Sequence, residues 1–268
     1  MTAVDLLAGT DVDRSAPLAR ANPVAKLAVS VAVSLALLLT VDVVTAGTAL
    51  LLELAALPWC GLGRRSLLRR GWIVLLAALL TGLATTWLGV DSGAVLLGLG
   101  PVTVTQGSLL AGTAIALRVL AIGLPGVVLL ATTDPTDLAD ALAQVLRLPH
   151  RFVLAALAAT RLFAVLAEEW QALSLARRAR GVGDDGWLGR VRTLTGQTFS
   201  LLVLSIRRAT TLATAMEARG FGVSSHRTWA RPSRFGAGDW LVVLGGLVLC
   251  AAATTAGVLA GTWHLTLA

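Results

Sequence analysis

Charged residues are scarce in this chain of 268 residues. Asp, Glu, Lys and Arg make up 14% of it, whereas soluble domains average about 25%. Hydrophobic residues make up 56%, and the mean hydropathy is +0.80. Because the apolar residues lie in long stretches, the composition excludes an ordinary soluble domain and predicts an all-α polytopic membrane protein.

Cysteines, histidines and common catalytic motifs are also few or absent. The two cysteines, Cys60 and Cys250, are isolated, so they predict neither a disulfide framework nor a metal site. The sequence contains no Walker A pattern, no HExxH and no GxSxG, and its three histidines lie far apart. These absences argue against an enzyme and against ATP binding by this chain through a Walker A loop.

Apolar stretches that can cross a bilayer, each needing about 20 residues, occur at five places. We predict transmembrane helices at 24–41, 43–57, 71–90, 108–131 and 239–267. The first two meet at Asp42, so the turn between them must be tight. Glu53 lies in the second stretch, and we expect it near the end of the span, where a carboxylate is less costly.

Positive charge is distributed unevenly along the chain. Of the 22 Lys and Arg residues, fourteen lie between residues 132 and 239, whereas the turn at Asp42 and the link 91–107 have none. The positive-inside rule therefore predicts a cytoplasmic N-terminal segment (1–23), four spans (24–131), a cytoplasmic region (132–238) and a last span (239–268) that ends outside. The same rule accounts for the net charge of +7, so we predict no nucleic-acid binding.

The cytoplasmic region predicts one short and two long helices. TTDPTDLADALAQVLRLP, residues 132–149, is typical of a short amphipathic helix with a capped start and a proline at its end. Two long helical runs follow, at 149–180 and 188–219. We interpret the two long runs as coupling helices between the fourth and fifth spans.

Both long runs end in the same Ala-Arg-Gly triplet. Aligning 172–183 with 211–222 gives six identities in twelve positions, including the later glycines Gly183 and Gly222. A single arginine at a helix end needs no function beyond complementing the helix dipole. Both copies, however, have alanine directly before the arginine, and the planar guanidinium group of arginine binds carboxylates through two hydrogen bonds. This repetition favours a docking contact instead. The predicted docking residues are Ala179, Arg180, Gly181, Ala218, Arg219 and Gly220. The residues predicted to support the coupling helices are Ala176, Ala215, Glu217, Arg207 and Arg208.

Arg118 is the only basic residue deep within a predicted span. An intramembrane charge is a candidate functional residue, but it can also pair with a carboxylate or carbonyl inside the bundle. We favour the structural role and predict that Arg118 supports folding.

LARRARG and RRATTLATAMEARGFG resemble the paired signatures of the transmembrane scaffold subunit, or T component, of energy-coupling factor transporters, a family that includes the cobalt and biotin permeases. LARANPVAKLAV is similar to the family's entry into its first span, and TTDPTDLADAL to its first coupling helix. Val182 departs from the second copy, which has Phe221 there.

The resemblance implies a non-catalytic subunit of the bacterial plasma membrane that binds two ABC-type ATPases. Arg180 and Arg219 would each enter a groove on one ATPase. ATP and Mg would bind to the ATPases, so no cofactor is expected in this chain. A separate small membrane subunit, the S component, would bind the vitamin or metal ion.

Two alternatives remain at this point. A stand-alone channel or carrier would need polar groups along a path at mid-membrane, and the spans provide little beyond Arg118, Glu53 and several Ser and Thr. A conventional ABC permease usually presents one coupling element per chain, whereas this chain has two. We therefore favour the scaffold, and neighbouring ATPase genes would support it.

Overall fold

The computed structural model describes residues 13, 15–89, 93–99, 102–181, 186–221, 229 and 231–262. These residues fall into two compact units. The larger unit comprises the described residues of 13–141 and 233–262, and the smaller comprises those of 142–232.

The larger unit is a bundle of apolar helices. It contains α1 (Pro17–Arg20), α2 (Pro23–Leu38), α3 (Val43–Ala56), a 3₁₀ turn (Leu57–Cys60), α4 (Arg64–Leu88), α5 (Gln106–Thr132) and α9 (Ala237–Leu259). Within the described residues, four segments are long and apolar enough to cross a membrane, namely 43–60, 65–88, 106–132 and 237–259, and α2 is a shorter apolar helix. Each of the five predicted spans therefore corresponds to an apolar helix, and the all-α polytopic membrane fold is confirmed.

Capping side chains fix where these helices begin. Asn22 precedes Pro23 and accepts a hydrogen bond from a backbone N–H of the first turn of α2. Asp42 caps α3 in the same way, which accounts for the tight turn between the first two spans. At α5, Thr105 and Ser108 form a reciprocal capping box.

Small residues allow the bundle helices to approach closely. The buried core cluster consists of Val33, Leu37, Ala49, Ala121 and Ala253. A Cβ atom on Gly246 of α9 would lie 2.6 Å from a methyl group of Val29 on α2. A Cβ atom on Gly112 of α5 would overlap the Thr86 hydroxyl of α4. Such contacts are typical of helix packing in membranes, where close van der Waals contact replaces the hydrophobic effect.

A short β-hairpin connects α4 to α5. Strand β1 (Val95–Leu99) pairs antiparallel with β2 (Val102–Thr105), so that Leu99 lies opposite Val102. No secondary structure is predicted for the link 91–107, so the hairpin is an additional element of the helical fold.

The short amphipathic helix predicted at 132–149 is α6 (Pro135–Gln144). Two long helices follow, α7 (His150–Ala179) and α8 (Gly186–Ala218). They match the two predicted long runs to within two residues at each end.

Helices α7 and α8 form an antiparallel pair. Near the end of α7, Arg177 Nη1 donates to the carbonyl oxygen of Thr193, close to the start of α8. Further along α8, Gln197 Nε2 donates to the Trp170 carbonyl oxygen (2.9 Å) and to Ser174 Oγ (3.1 Å). Gln197 is buried, so this contact forms the polar centre of the pair.

Candidate functional site: two helix ends that present arginine

The first Ala-Arg-Gly triplet forms the C-terminal end of α7. Arg180 is the C-cap residue, and Gly181 follows with a φ of +69°. The Gly181 N–H donates to the carbonyl oxygen of Arg178 (3.0 Å), which helps to close the helix. Nothing lies within 4 Å of where a Gly181 Cβ would be. Glycine is therefore favoured here because the backbone is left-handed, and not because a side chain would lack space.

The second triplet ends α8 with the same geometry. Gly220 has a φ of +73°. Its N–H donates to the carbonyl oxygen of Glu217 (2.9 Å), and the Phe221 N–H donates to that of Met216 (3.0 Å). These two bonds form a complete Schellman motif, with Arg219 as the last residue before the left-handed glycine.

Arg180 and Arg219 therefore occupy equivalent positions, which we call the two tips. Both side chains are exposed, as are the alanine and glycine on either side of each arginine. Within the part of the chain that the structure describes, neither guanidinium group has a hydrogen-bond or ion-pair partner. Gly183 and Gly222, the later glycines of the two copies, lie outside the described residues.

The predicted supporting residues differ in their surroundings. Ala176, Ala215, Glu217 and Arg207 are exposed. Arg208, in contrast, forms an ion pair with Glu169 of α7. It lies eleven residues before Arg219, or about 17 Å along the helix axis, so it connects the helix pair and does not join the tip.

The two tips lie at opposite ends of the α7–α8 pair. Measured from the Gln197–Trp170–Ser174 contact, Arg180 lies about 12 Å along α7, and Arg219 lies about 33 Å along α8 in the opposite direction. Straight antiparallel axes place the tips about 45 Å apart, and even perpendicular axes leave about 35 Å. The structure therefore brings the two triplets to two separate sites rather than one composite site.

Beside the second tip lies a largely apolar groove of about 420 Å³. It is formed by the first half of α7 and the end of α8, and its lining includes Leu154, Leu162, Met216 and Phe221. Contact between the residue after a Schellman glycine and the last turn of the helix is common in this motif. Phe221 and Met216 thus anchor the backbone that presents Arg219.

Arg118 lies near the middle of α5. Its Nη2 atom donates to the carbonyl oxygen of Leu38, the last residue of α2, over 2.9 Å. The last carbonyls of a helix have no N–H partner within that helix, and a cation at this end is favourable. Arg118 thus connects two helices of the bundle and takes no part in either tip.

Glu53 is 6% exposed and lies three residues before the end of α3. Its carboxylate oxygens have no hydrogen-bond partner among the described residues. It lines a mainly apolar cavity of about 750 Å³ between α2, α3, α5 and α9. No group of three or more His, Cys, Asp or Glu that could hold a metal ion occurs among the residues described.

Comparison with known proteins identifies the family. Residues 14–229 match the family described as Cobalt transport protein, CbiQ, and this segment includes both tips. The energy-coupling factor transporter transmembrane protein EcfT of Heliobacterium modesticaldum is 31% identical over 254 residues, which cover 90% of this chain and 93% of that protein.

Two further relatives with the same name come from Bacillus species. EcfT of Bacillus subtilis is 32% identical over 191 residues, covering 67% of this chain and 69% of that protein. EcfT of Bacillus selenitireducens is 35% identical over 173 residues, covering 61% of this chain and 64% of that protein. The family match and the full-length similarity together show that this chain belongs to the Cobalt transport protein (CbiQ) family.

Proposed function

We propose that this protein is the transmembrane scaffold subunit of an energy-coupling factor transporter, and that its two tips bind two ABC-type ATPase subunits. Its similarity to three energy-coupling factor transporter transmembrane proteins supports the first part. The equivalent geometry of the two exposed arginines, Arg180 and Arg219, supports the second and carries the proposal.

The chemistry of each tip suits a carboxylate-lined groove. A guanidinium group without an internal partner can bind a carboxylate through two parallel hydrogen bonds. Ala179 and Ala218 add little bulk beside it, so a partner surface can approach closely. When such an arginine becomes desolvated at an interface, its truncation commonly weakens binding by about 2 kcal/mol or more.

The separation of the tips favours two partners over one. A distance of about 35–45 Å exceeds the width of a single side-chain groove, so each tip engages its own ATPase subunit. The two ATPases are the same or different proteins, and they hold the ATP and Mg. This chain contributes binding and motion but no catalytic group.

The α7–α8 pair can transmit motion between the ATPases and the membrane. Its buried polar contact, Gln197 with Trp170 and Ser174, lies between the tips and serves as a pivot. When ATP binding and hydrolysis change the spacing of the ATPases, the two helices rotate about this contact. A small substrate-binding membrane subunit beside them is thereby tilted and releases a vitamin or a transition-metal ion, such as biotin or cobalt, into the cell.

The proposed orientation follows from the positive charges. The protein lies in the bacterial plasma membrane with its N-terminus and the region 132–238 in the cytoplasm. The C-terminus is extracytoplasmic. This arrangement places both tips on the side where ATP is available.

The composition of the purified complex tests the proposal. The chain is expressed together with ATPases encoded beside its gene, extracted in detergent and purified through an affinity tag on this chain. We expect two ATPase subunits and one small membrane protein for each copy, measured by native mass spectrometry. A chain that purifies without ATPases would contradict the proposed function.

A further inference from the structure

Residues at the start of α2 contact both chain connections that link the bundle to residues 142–232. The outgoing connection begins after Thr132, the last residue of α5, and continues into α6. The chain returns to the larger unit at Ser233. Asn22 and Lys26, four residues apart at the start of α2, each contact one of these two points.

Lys26 holds the outgoing connection. Its side chain is 9% exposed, and its Nζ atom donates to the Thr132 carbonyl oxygen (3.2 Å), Thr132 Oγ1 (3.1 Å) and the Ala19 carbonyl oxygen (3.0 Å). An ammonium group has three protons, and each has an acceptor here. The cation also lies at the C-terminal end of α5, where the helix dipole favours positive charge.

Asn22 holds the returning connection. It is 8% exposed, and its Nδ2 atom donates to Ser233 Oγ (3.1 Å) and to the Arg234 carbonyl oxygen (3.2 Å). Its backbone N–H donates to Asp239 Oδ1 (2.6 Å), while the other oxygen of that carboxylate accepts from the Gly236 N–H (2.8 Å). The start of α9 is therefore fixed to the start of α2.

We propose that Asn22 and Lys26 are positioning residues that fix both connections of the region carrying α7 and α8, so that movement of these helices reaches the bundle. A loose connection would absorb such movement, whereas a connection held by hydrogen bonds to buried side chains transmits it. This inference assigns residues to the transmission step of the proposed function, and it rests on that function only for the source of the movement.

Substitutions at Lys26 and Asn22 separate this role from helix capping and from side-chain packing. Lys26→Met keeps a long aliphatic stem and removes all three donors, and Lys26→Arg restores donors. Asn22→Ser keeps a good N-cap residue for α2 but removes the Nδ2 donors to Ser233 and Arg234. Val33→Ala, in the bundle core, destabilises the bundle without touching either connection and is the matched control.

The readout is the distance between nitroxide labels at Leu175→Cys on α7 and Leu259→Cys on α9. Both positions are exposed, and the native cysteines are replaced by alanine. Pulsed electron paramagnetic resonance gives the distance distribution in nanodiscs. It is recorded for the chain alone, and for the ATPase complex with and without ATP and vanadate.

We expect Lys26→Met and Asn22→Ser each to widen the distribution of the chain alone at least twofold. In the complex, we expect both to remove at least half of the nucleotide-dependent shift while ATPase recovery stays at the parent level. Lys26→Arg should restore the parent width, and Val33→Ala should lower thermal stability without widening the distribution. Parent-like widths for both Lys26→Met and Asn22→Ser would overturn the inference.

The chain-alone measurement distinguishes this inference from the proposed function. A parent chain that recovers no ATPase contradicts the proposed function. In that case, the widths of the distance distributions of the chain alone in nanodiscs still decide whether the two connections are fixed. Widening by Val33→Ala equal to that by Lys26→Met would also overturn the inference, because general destabilisation would then explain both.

Discussion

Arg118 Nη2 donates a hydrogen bond to the Leu38 carbonyl oxygen over 2.9 Å, joining the middle of α5 to the end of α2. The bond places a cation at the C-terminal end of a helix, where the dipole favours it. Within a bilayer, few other partners are available to either group. The contact therefore favours a stabilising role for the intramembrane charge over a transport role.

Arg118→Met should destabilise the bundle. The substitution keeps a flexible apolar side chain but removes the charged donor. Hydrogen bonds to charged groups contribute about 1.5–3 kcal/mol, and we expect about 1–2 kcal/mol here because the side chain is half-buried. Thermal denaturation in detergent and the yield of extracted protein measure the effect. Arg118→Lys should recover part of it, and normal stability with lost transport would contradict the structural role.

The regular parts of the fold could be predicted from the sequence because their signals are local. Apolar runs located the bundle helices, and Asp42 marked the tight turn between the first two, where the structure shows that it also caps α3. Glycine after each repeated arginine gave the ends of α7 and α8 to within two residues. The hairpin also has a local signal, since Val and Thr alternate in 102–105.

The contacts between distant segments could not be predicted in this way. Asn22 and Asp239 are 217 residues apart, and Arg208 and Glu169 are 39 apart. A single sequence shows which residues are polar but not which helices touch. For the same reason, Arg208 could be predicted as a supporting residue of a coupling helix, but its partner Glu169 on α7 could not.

Reversing the charge at the tips should weaken ATPase binding. Arg180→Glu and Arg219→Glu each place a carboxylate where the partner's carboxylates are expected, and like charges repel at close range. Loss of one hot-spot arginine corresponds to at least about 2 kcal/mol, or roughly thirtyfold in affinity. Co-purification with tagged ATPase should fall for each variant and nearly vanish for both together.

Arg178→Glu is the matched control for this prediction. Arg178 is exposed and lies two residues before Arg180, so its reversal changes the net charge equally without changing the C-cap position. We expect a much smaller loss. Recovery of the double tip variant at the unmodified level, or an equal loss for Arg178→Glu, would show that the tip arginines are not the specific contacts.

The glycines that follow the arginines should matter through backbone conformation. Gly181 and Gly220 have φ values of +69° and +73°, and nothing lies within 4 Å of an added Cβ. Alanine at either position therefore meets no clash but adopts a left-handed conformation at about 1–2 kcal/mol. We expect Gly181→Ala and Gly220→Ala to redirect the arginine and to lower ATPase affinity several-fold in titrations with purified ATPase.

Asparagine provides the comparison for the glycine variants, because it enters the left-handed region more readily than alanine. Gly181→Asn and Gly220→Asn should retain more affinity than the alanine variants. If alanine and asparagine behave alike, the backbone conformation at the tip does not control the contact.

The polar contact at the centre of the α7–α8 pair should stabilise the two helices more than the ion pair between them does. Gln197 is 4% exposed, and Gln197→Leu removes its hydrogen bonds to the Trp170 carbonyl oxygen and to Ser174 Oγ, while Ser174 still donates to that carbonyl. Each hydrogen bond lost contributes about 0.5–1.5 kcal/mol. The side chains of Arg208 and Glu169 are 36% and 32% exposed, and solvent screening limits such a pair to about 0–1 kcal/mol. Limited proteolysis within 142–232 should therefore be faster for Gln197→Leu than for Arg208→Met. The reverse order would show that the ion pair, and not the buried amide of Gln197, holds the two helices together.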